Sequence, residues 1–177
     1  MYKTSRKSAN LSIEESAFRL HIAPRTLCKY EAGETVPGPE VVLAMSREYG
    51  KPEMTLTYCR ENCAIGRAYG YEVLNGVDTS LVTVLAKLGG EIDEARGLLG
   101  RAMSLAINRM ERDCFTDGEW GEFSGAVLEF MDVEHNIEVL KLALGKMCDV
   151  SELVEQHNKK CRDSGYTKQK PLKAVRA

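Results

Sequence analysis

An all-α fold is predicted by three features of the chain. Apolar residues recur at spacings of three and four along most of its length, runs of alternating β-branched residues are scarce, and four of the five prolines fall within the first 52 residues. The architecture expected is an N-terminal five-helix domain followed by a long antiparallel helical hairpin. With 177 residues, 44% of them apolar, the chain can bury a core, and wholesale disorder is excluded.

The elements follow in order. Helices are expected over 2–9, 13–21, 24–32, 40–49 and 52–63, divided by Asn10-Leu11-Ser12, Ile22-Ala23, a Gly- and Pro-bearing segment over 33–39, and Gly50-Lys51. The third of these has the best-marked limits. Pro24 stands in its first turn, where a missing N–H does no harm, and Gly33 lies just past its end, where a left-handed residue is favoured. The periodicity lapses over 66–78, where Gly66, Gly70 and Asn75-Gly76 act as breakers. This divides the chain into a domain over 1–66, a linker over 67–78, a helical domain over 79–161 and a flexible basic tail over 162–177.

Beyond the linker the helices lengthen. From an N-cap at Asp78 or Thr79, the positions Leu81, Leu85, Leu88, Ile92, Ala95, Leu99, Ala102, Ala106 and Met110 form a near-heptad seam. A helix over 79–112 would be about 50 Å long, more than the short N-terminal helices can cover, so it needs a partner helix. Gly89-Gly90, Gly97 and Gly100 weaken it unless their small size permits close helix approach, and a kink at Gly89-Gly90 is the alternative. A break over 113–118, with Thr116 or Asp117 as the next cap, leads to a second stripe of Trp120, Phe123, Val127, Phe130, Ile137, Leu140 and Leu144. Two long amphipathic helices joined this briefly predict an antiparallel αα-hairpin, with a further helix over 151–161.

The net charge of −2 conceals three regions. Residues 1–67 carry ten basic and eight acidic side chains, residues 68–158 seven and seventeen, and residues 159–177 seven and one. The chain is therefore a weakly basic domain, an acidic hairpin and a basic tail. No apolar run approaches the roughly 18 residues of a membrane helix, and the N-terminus lacks the apolar stretch of a secretory signal. A soluble cytoplasmic protein is expected, its six dispersed cysteines mostly thiols.

The segment of greatest specificity runs from Leu11 to Pro37. Glu14-Glu15 open the second helix, Ala17 and Leu20 face inward, Ile22 lies in the turn, the third helix ends Tyr30-Glu31-Ala32-Gly33, and Pro37 precedes the fourth. This ordered combination resembles the helix-turn-helix of the phage repressor and Cro-like (XRE) family, over about residues 1–65. The resemblance implies a sequence-specific transcriptional regulator of bacterial or prophage type, binding double-stranded DNA through a recognition helix. Leu27 and Tyr30 can face the core with Ile22, which leaves Arg25, Thr26, Cys28 and Lys29 outward, with Arg25 and Lys29 one turn apart. In a major groove Arg25 could bond to guanine, Thr26 to a thymine methyl or a phosphate, and Lys29 to a base or a phosphate. Lys3, Arg6 and Lys7 on the first helix and Thr35 in the following loop are candidate backbone contacts.

A single module makes few contacts, and the usual solution is a homodimer on a pseudo-palindromic operator. The residues expected to dimerise are Leu81, Leu85, Leu88, Ile92, Leu99, Trp120, Phe123, Val127, Phe130, Ile137, Leu140 and Leu144; the alternative is that these stripes close an intrachain core.

Several residues depart from the family pattern. Ile13 stands where a Gln is frequent, Ser16 where an apolar residue is common, Ala23 where Ser or Thr caps, and Glu34 where a base is common. Phe18 falls at a usually charged position, which suggests either a slightly rotated helix or packing against the long hairpin helix. These departures motivate an alternative, a non-DNA-binding interaction module such as an antirepressor or assembly factor.

His21, His135 and His157 are scattered and no phosphate loop or nucleophile–base pattern occurs, so no enzyme is expected. Cys59/Cys63 and His157/Cys161 have a zinc-compatible spacing, but buried thiols on a helix share it, and no metal or cofactor is expected. The identity of any small-molecule effector is left open.

Overall fold

The computed structural model describes residues 1–74 and 76–167. Every regular element among them is helical. Five short helices build the N-terminal domain: α1 (Tyr2–Ser8), α2 (Ile13–Arg19), α3 (Pro24–Ala32), α4 (Pro39–Glu48) and α5 (Glu53–Asn62). Their inward stripes supply a core of Ala17, Leu20, Leu27, Met45, Tyr49 and Met54, on which Tyr2, Ala9, Ile22 and Tyr30 also pack. A core this small leaves polar residues to fix its geometry. Ser16, at the position where an apolar residue is common, is fully buried and shares a 2.6 Å hydrogen bond with the Tyr49 hydroxyl. The polar substitution is thus satisfied inside the domain, as a buried hydroxyl must be.

A sixth helix, α6 (Ala64–Tyr69), occupies the start of the stretch where the periodicity lapses and predicts none. Its glycine signal has a different cause. A Cβ on Gly66 would fall 2.1 Å from the carbonyl oxygen of Cys59, so Gly66 permits α6 to fold back tightly on α5. Cys63, extended at φ −107°, makes the corner. The chain beyond α6 is tied to the second domain, because Tyr71 stacks on His135 with ring centroids 4.7 Å apart and donates to Glu134. His135 Nε2 donates in turn to the Glu72 carbonyl at 3.0 Å.

The hairpin consists of α7 (Leu81–Ala106) and α8 (Asp117–Leu144), packed along their length. Helix α7 begins at Ser80, a residue or two later than its cap is expected, because the Asp78 carboxylate accepts hydrogen bonds from Ser80 N, Ser80 Oγ and Thr83 Oγ1 and so organises the turn before the helix. It ends six residues early: Ile107 turns extended and Asn108 adopts φ 61°. Gly89 and Gly90 lie inside an uninterrupted helix, and a Cβ at Gly89, Gly90, Gly97 or Gly100 would meet no atom of the described residues within 4 Å, so close approach at these glycines is not used among them.

The tip is an aromatic cluster. Phe115 lies 5.5 Å from Trp120 and 5.3 Å from Phe123, with the guanidinium of Arg109 over Phe115 and that of Arg112 over Trp120. Thr116 caps α8 in a full capping box with Glu119. Trp120 and Phe123, expected on the dimer seam, thus also pack within the chain at the turn of the hairpin.

Alanines make up half of the buried positions of the two helices. Val84, Ala95, Ala102 and Leu105 of α7 and Ala126, Asn136, Val139 and Ala143 of α8 are buried. Leu85, Ile92, Leu99 and Ile137, expected on the seam, stay exposed beside it, while Leu81, Leu88, Val127, Phe130, Leu140 and Leu144 are half-buried. Helix α9 (Val150–Asp163) follows, capped by Asp149. No helix among the described residues is long and apolar enough to cross a membrane. The expected flexible tail falls from residue 168 onward outside the described residues.

Two outcomes follow for stability. Glu31 forms a bidentate pair with Arg6, with side chains only 6% and 7% exposed. Replacing Glu31 by Ala leaves the buried guanidinium unpaired and should cost the N-terminal domain about 3 kcal/mol, the lower end for a broken buried pair, read as a lowered urea midpoint. Arg6→Met combined with Glu31→Leu should recover most of that loss. Glu119 is held down to about 2, from an ordinary 4.5, by hydrogen bonds from Thr116 and then by Arg109. Its contribution is complete above pH 4.5 and is lost as the pH falls from there toward 2. Acid melting of the hairpin should therefore begin below pH 4.5 and be less steep in Glu119→Gln, measured by circular dichroism.

Candidate nucleic-acid interface

The interface is assembled by α2, a turn and α3. Ser12 Oγ accepts from Glu15 N and starts α2, with Glu14 and Glu15 in its first turn favouring the positive end of the helix dipole. Helix α2 stops at Arg19 rather than running to residue 21, and His21 takes a left-handed φ of 53°, a conformation histidine tolerates better than most residues. Ala23 is extended and Pro24 opens α3 without a side-chain cap. Gly33 closes α3 in a left-handed conformation, φ 75°, so that Gly33 N and Glu34 N donate back to Tyr30 and Lys29 carbonyls.

Helix α3 has a locked side and an open side. Leu27 is fully buried, and Tyr30 and Ile22 pack beside it on the core. At the C-terminal end Glu31 turns back to α1, where Arg6 Nε and Nη2 reach its two oxygens at 2.6 and 3.0 Å. Arg6 Nη1 donates to the Leu11 carbonyl at 2.7 Å, which joins the start of α2 to the same knot. The hydrogen bond to Glu31 raises the Arg6 pKa further above its ordinary value. Arg25, Cys28 and Lys29 are exposed and Thr26 is half-buried.

The cations of this face are uncommitted. Arg6 pairs with Glu31, Arg19 with Glu15 and Glu48, and Lys51 with Glu53, while among the described residues no ion pair holds Lys3, Lys7, Arg25 or Lys29. Lys3 and Lys7 are exposed on α1, and Thr35 is exposed in the loop after Gly33. Arg6 is a correction. Expected among the backbone contacts, it is buried and fully engaged with Glu31 and Leu11, so it holds α3 in place instead of facing outward. The sequence carries a signal for this: Tyr2, Arg6 and Ala9 share one helical stripe, and a lone arginine on an inward stripe calls for a buried acid. Phe18 is a second correction. It packs on neither domain and is 80% exposed on α2.

Glu91, Glu129 and Asp132 bring carboxylate oxygens within 4.8 Å of one another between α7 and α8, with Glu91 also meeting Lys87. All six cysteines are free thiols. His157 Nε2 lies 3.4 Å from Cys161 Sγ, a two-donor contact. Cys63, at the corner before α6, has a lowered pKa because the N–H groups of Gly66 and Ile65 donate to its sulfur.

Two helices crossed over a tight turn, the second held from behind and carrying uncommitted cations in front, define a helix-turn-helix. Residues 3–56 match the Helix-turn-helix family model, which supports an XRE-like helix-turn-helix in this segment, the kind found in DNA-binding transcription regulators. No curated protein and no solved structure matches the chain.

Proposed function

We propose that the chain is a sequence-specific transcription regulator that binds a pseudo-palindromic operator as a homodimer, with α3 in the major groove. The observation that carries this reading is the division of α3 into a side pinned by Leu27 and the Arg6–Glu31 pair and a side presenting Arg25, Thr26 and Lys29. Arg25 and Lys29, free of ion pairs, read base edges or phosphates; Thr26 lies between them. Lys3, Lys7 and Thr35 contact the backbone, which sets register without reading sequence.

Dimerisation is supported by the hairpin. Its buried positions are Val84, Ala95, Ala102 and Leu105 on α7, while Val82, Leu85, Ile92, Leu98, Leu99 and Met103 of the same helix remain exposed. Val82, Leu85, Ile92, Leu99 and Met103 share one side of the helix, a stripe that a second helix pair could cover. Two hairpins packing on these faces make a four-helix arrangement, and the acidic character of residues 68–158 keeps it away from phosphate while the paired domains meet half-sites about 34 Å apart. Exposed Phe18 and Val36 favour a second reading, in which the same domain docks a protein.

Selection from a random duplex pool should enrich a palindrome; enrichment of nothing favours the protein-docking reading. Replacing Arg25 and Lys29 together by Ala should lower affinity for the selected site by ~100-fold or more, as expected for two base contacts of ~1–3 kcal/mol each, with helicity unchanged. Unchanged affinity would refute the assignment of α3. In sedimentation the full chain should run as a dimer at micromolar concentration, and Ile92→Glu with Leu99→Glu should convert it to a folded monomer.

A further inference from the structure

The N-terminal domain and the hairpin meet across a space. A cavity of 560 Å³ lies between α4 and α5 on one side and the end of α8 with the start of α9 on the other. Small-molecule sites span about 300–1,000 Å³ and favour domain junctions. Leu43, Pro52 and Leu56 line this one from the first domain, Leu142 and Val150 from the second. The two sides touch at its rim, where Gly145 lies so close to Pro52 that an added Cβ would come within 3.2 Å of it.

The charges around this apolar lining are unevenly satisfied. Asp149 caps α9, accepting from Ser151 N at 2.9 Å and Ser151 Oγ at 2.6 Å. Arg47 reaches it through one long contact of 3.4 Å, with both side chains about half exposed. An anion offered to Arg47 therefore displaces little. Lys141 faces the same cavity from α8 and has no ion-pair partner among the described residues. Glu138, one turn before Lys141, is the remaining unpaired carboxylate of the lining. It repels a second negative charge and can accept an N–H or O–H from a bound molecule.

We propose that this cavity binds a small amphipathic carboxylic acid with a single negative charge. The apolar body lies against Leu43, Leu56 and Leu142, and the carboxylate bridges Arg47 of the first domain and Lys141 of the second. A ligand held by both walls stabilises one angle between α3 and the hairpin, and so couples its own binding to that of DNA. Only this coupling rests on the reading of the chain as a DNA-binding regulator; the binding does not.

Calorimetric titration of the full chain with 3-phenylpropionate, phenylalanine, phenethylamine and 3-phenylpropanol tests it. Both carboxylates should bind once per chain, and the amine and the alcohol about tenfold more weakly or not at all, as loss of charge-assisted hydrogen bonds requires. Arg47→Ala and Lys141→Ala should each weaken the carboxylates about tenfold, and Leu56→Trp, which fills the cavity, should abolish binding. If Leu56→Trp fails to fold, the two surface variants decide. No binding of either carboxylate, equal binding of the amine, or binding indifferent to both charge variants overturns the site. With the site saturated by 3-phenylpropionate, affinity for the selected duplex should change by at least about fivefold, and not in Arg47→Ala. An unchanged affinity overturns the coupling, whereas a chain that binds no duplex at all counts against the DNA-binding reading, since the calorimetry involves no DNA.

Discussion

The bidentate pair of Arg6 and Glu31 is the constraint on which the geometry of the N-terminal domain depends. A central cluster of six buried side chains, two of them flexible methionines, with Val42 buried as well, defines that helices pack but leaves their rotation loosely specified. The planar guanidinium removes that freedom, because its fork meets both oxygens of Glu31 and the Leu11 carbonyl at once. Three segments, α1, the start of α2 and the end of α3, are fixed by one side chain. Since Glu31 lies in α3, the pair also determines which face of that helix is turned outward. The hydrogen bond of Ser16 to Tyr49 does the same for α2 against the end of α4. Buried polar groups here supply orientation, while the apolar core supplies most of the driving force.

The second half is organised by size more than by polarity. Alanines take four of the eight buried positions of α7 and α8, beside Val84, Leu105, Asn136 and Val139, and several larger residues of α7 are left on the outer flank. The tip is secured separately, by the Phe115 cluster, the stacked arginines and the Thr116 capping box. The two halves are joined by polar and aromatic ties, Arg47 to Asp149 and Tyr71 to His135, around a cavity. Such a junction lets each half keep its own internal geometry.

What could be read from the chain depended on whether the signal was local. The limits of α3 follow from Pro24 and Gly33, and the start of α8 from Thr116 and Glu119, because capping and turn chemistry act within one helical turn. The exposure of Arg25, Cys28 and Lys29 likewise follows from periodicity alone, whereas Thr26, expected with them, is half-buried. Glycine was ambiguous: Gly66 reads as a breaker yet serves the close contact of α6 with Cys59, which depends on a neighbour that spacing does not reveal. The end of α7 turned on Asn108 adopting a left-handed conformation, to which a continuing apolar repeat through Met110 is blind. Arg6 looked like an ordinary surface cation because its partner lies 25 residues away. Trp120 and Phe123 fitted a stripe, but the early end of α7 brings Phe115 into reach and draws them to the tip.

The alanine contact of the hairpin has a consequence for how a chain of this kind can diverge. Because the residues that fold α7 against α8 differ from those left on its flank, the flank can change its pattern of large and small side chains without unfolding the hairpin. If two chains pair through this flank as proposed, related chains could drift apart in this pattern until each pairs only with its own kind, a discrimination that rests on mismatch as much as on fit. The buried alanines have no such latitude. An added methylene at Ala95 or Ala102 would force the two helices apart and tilt every residue beyond it.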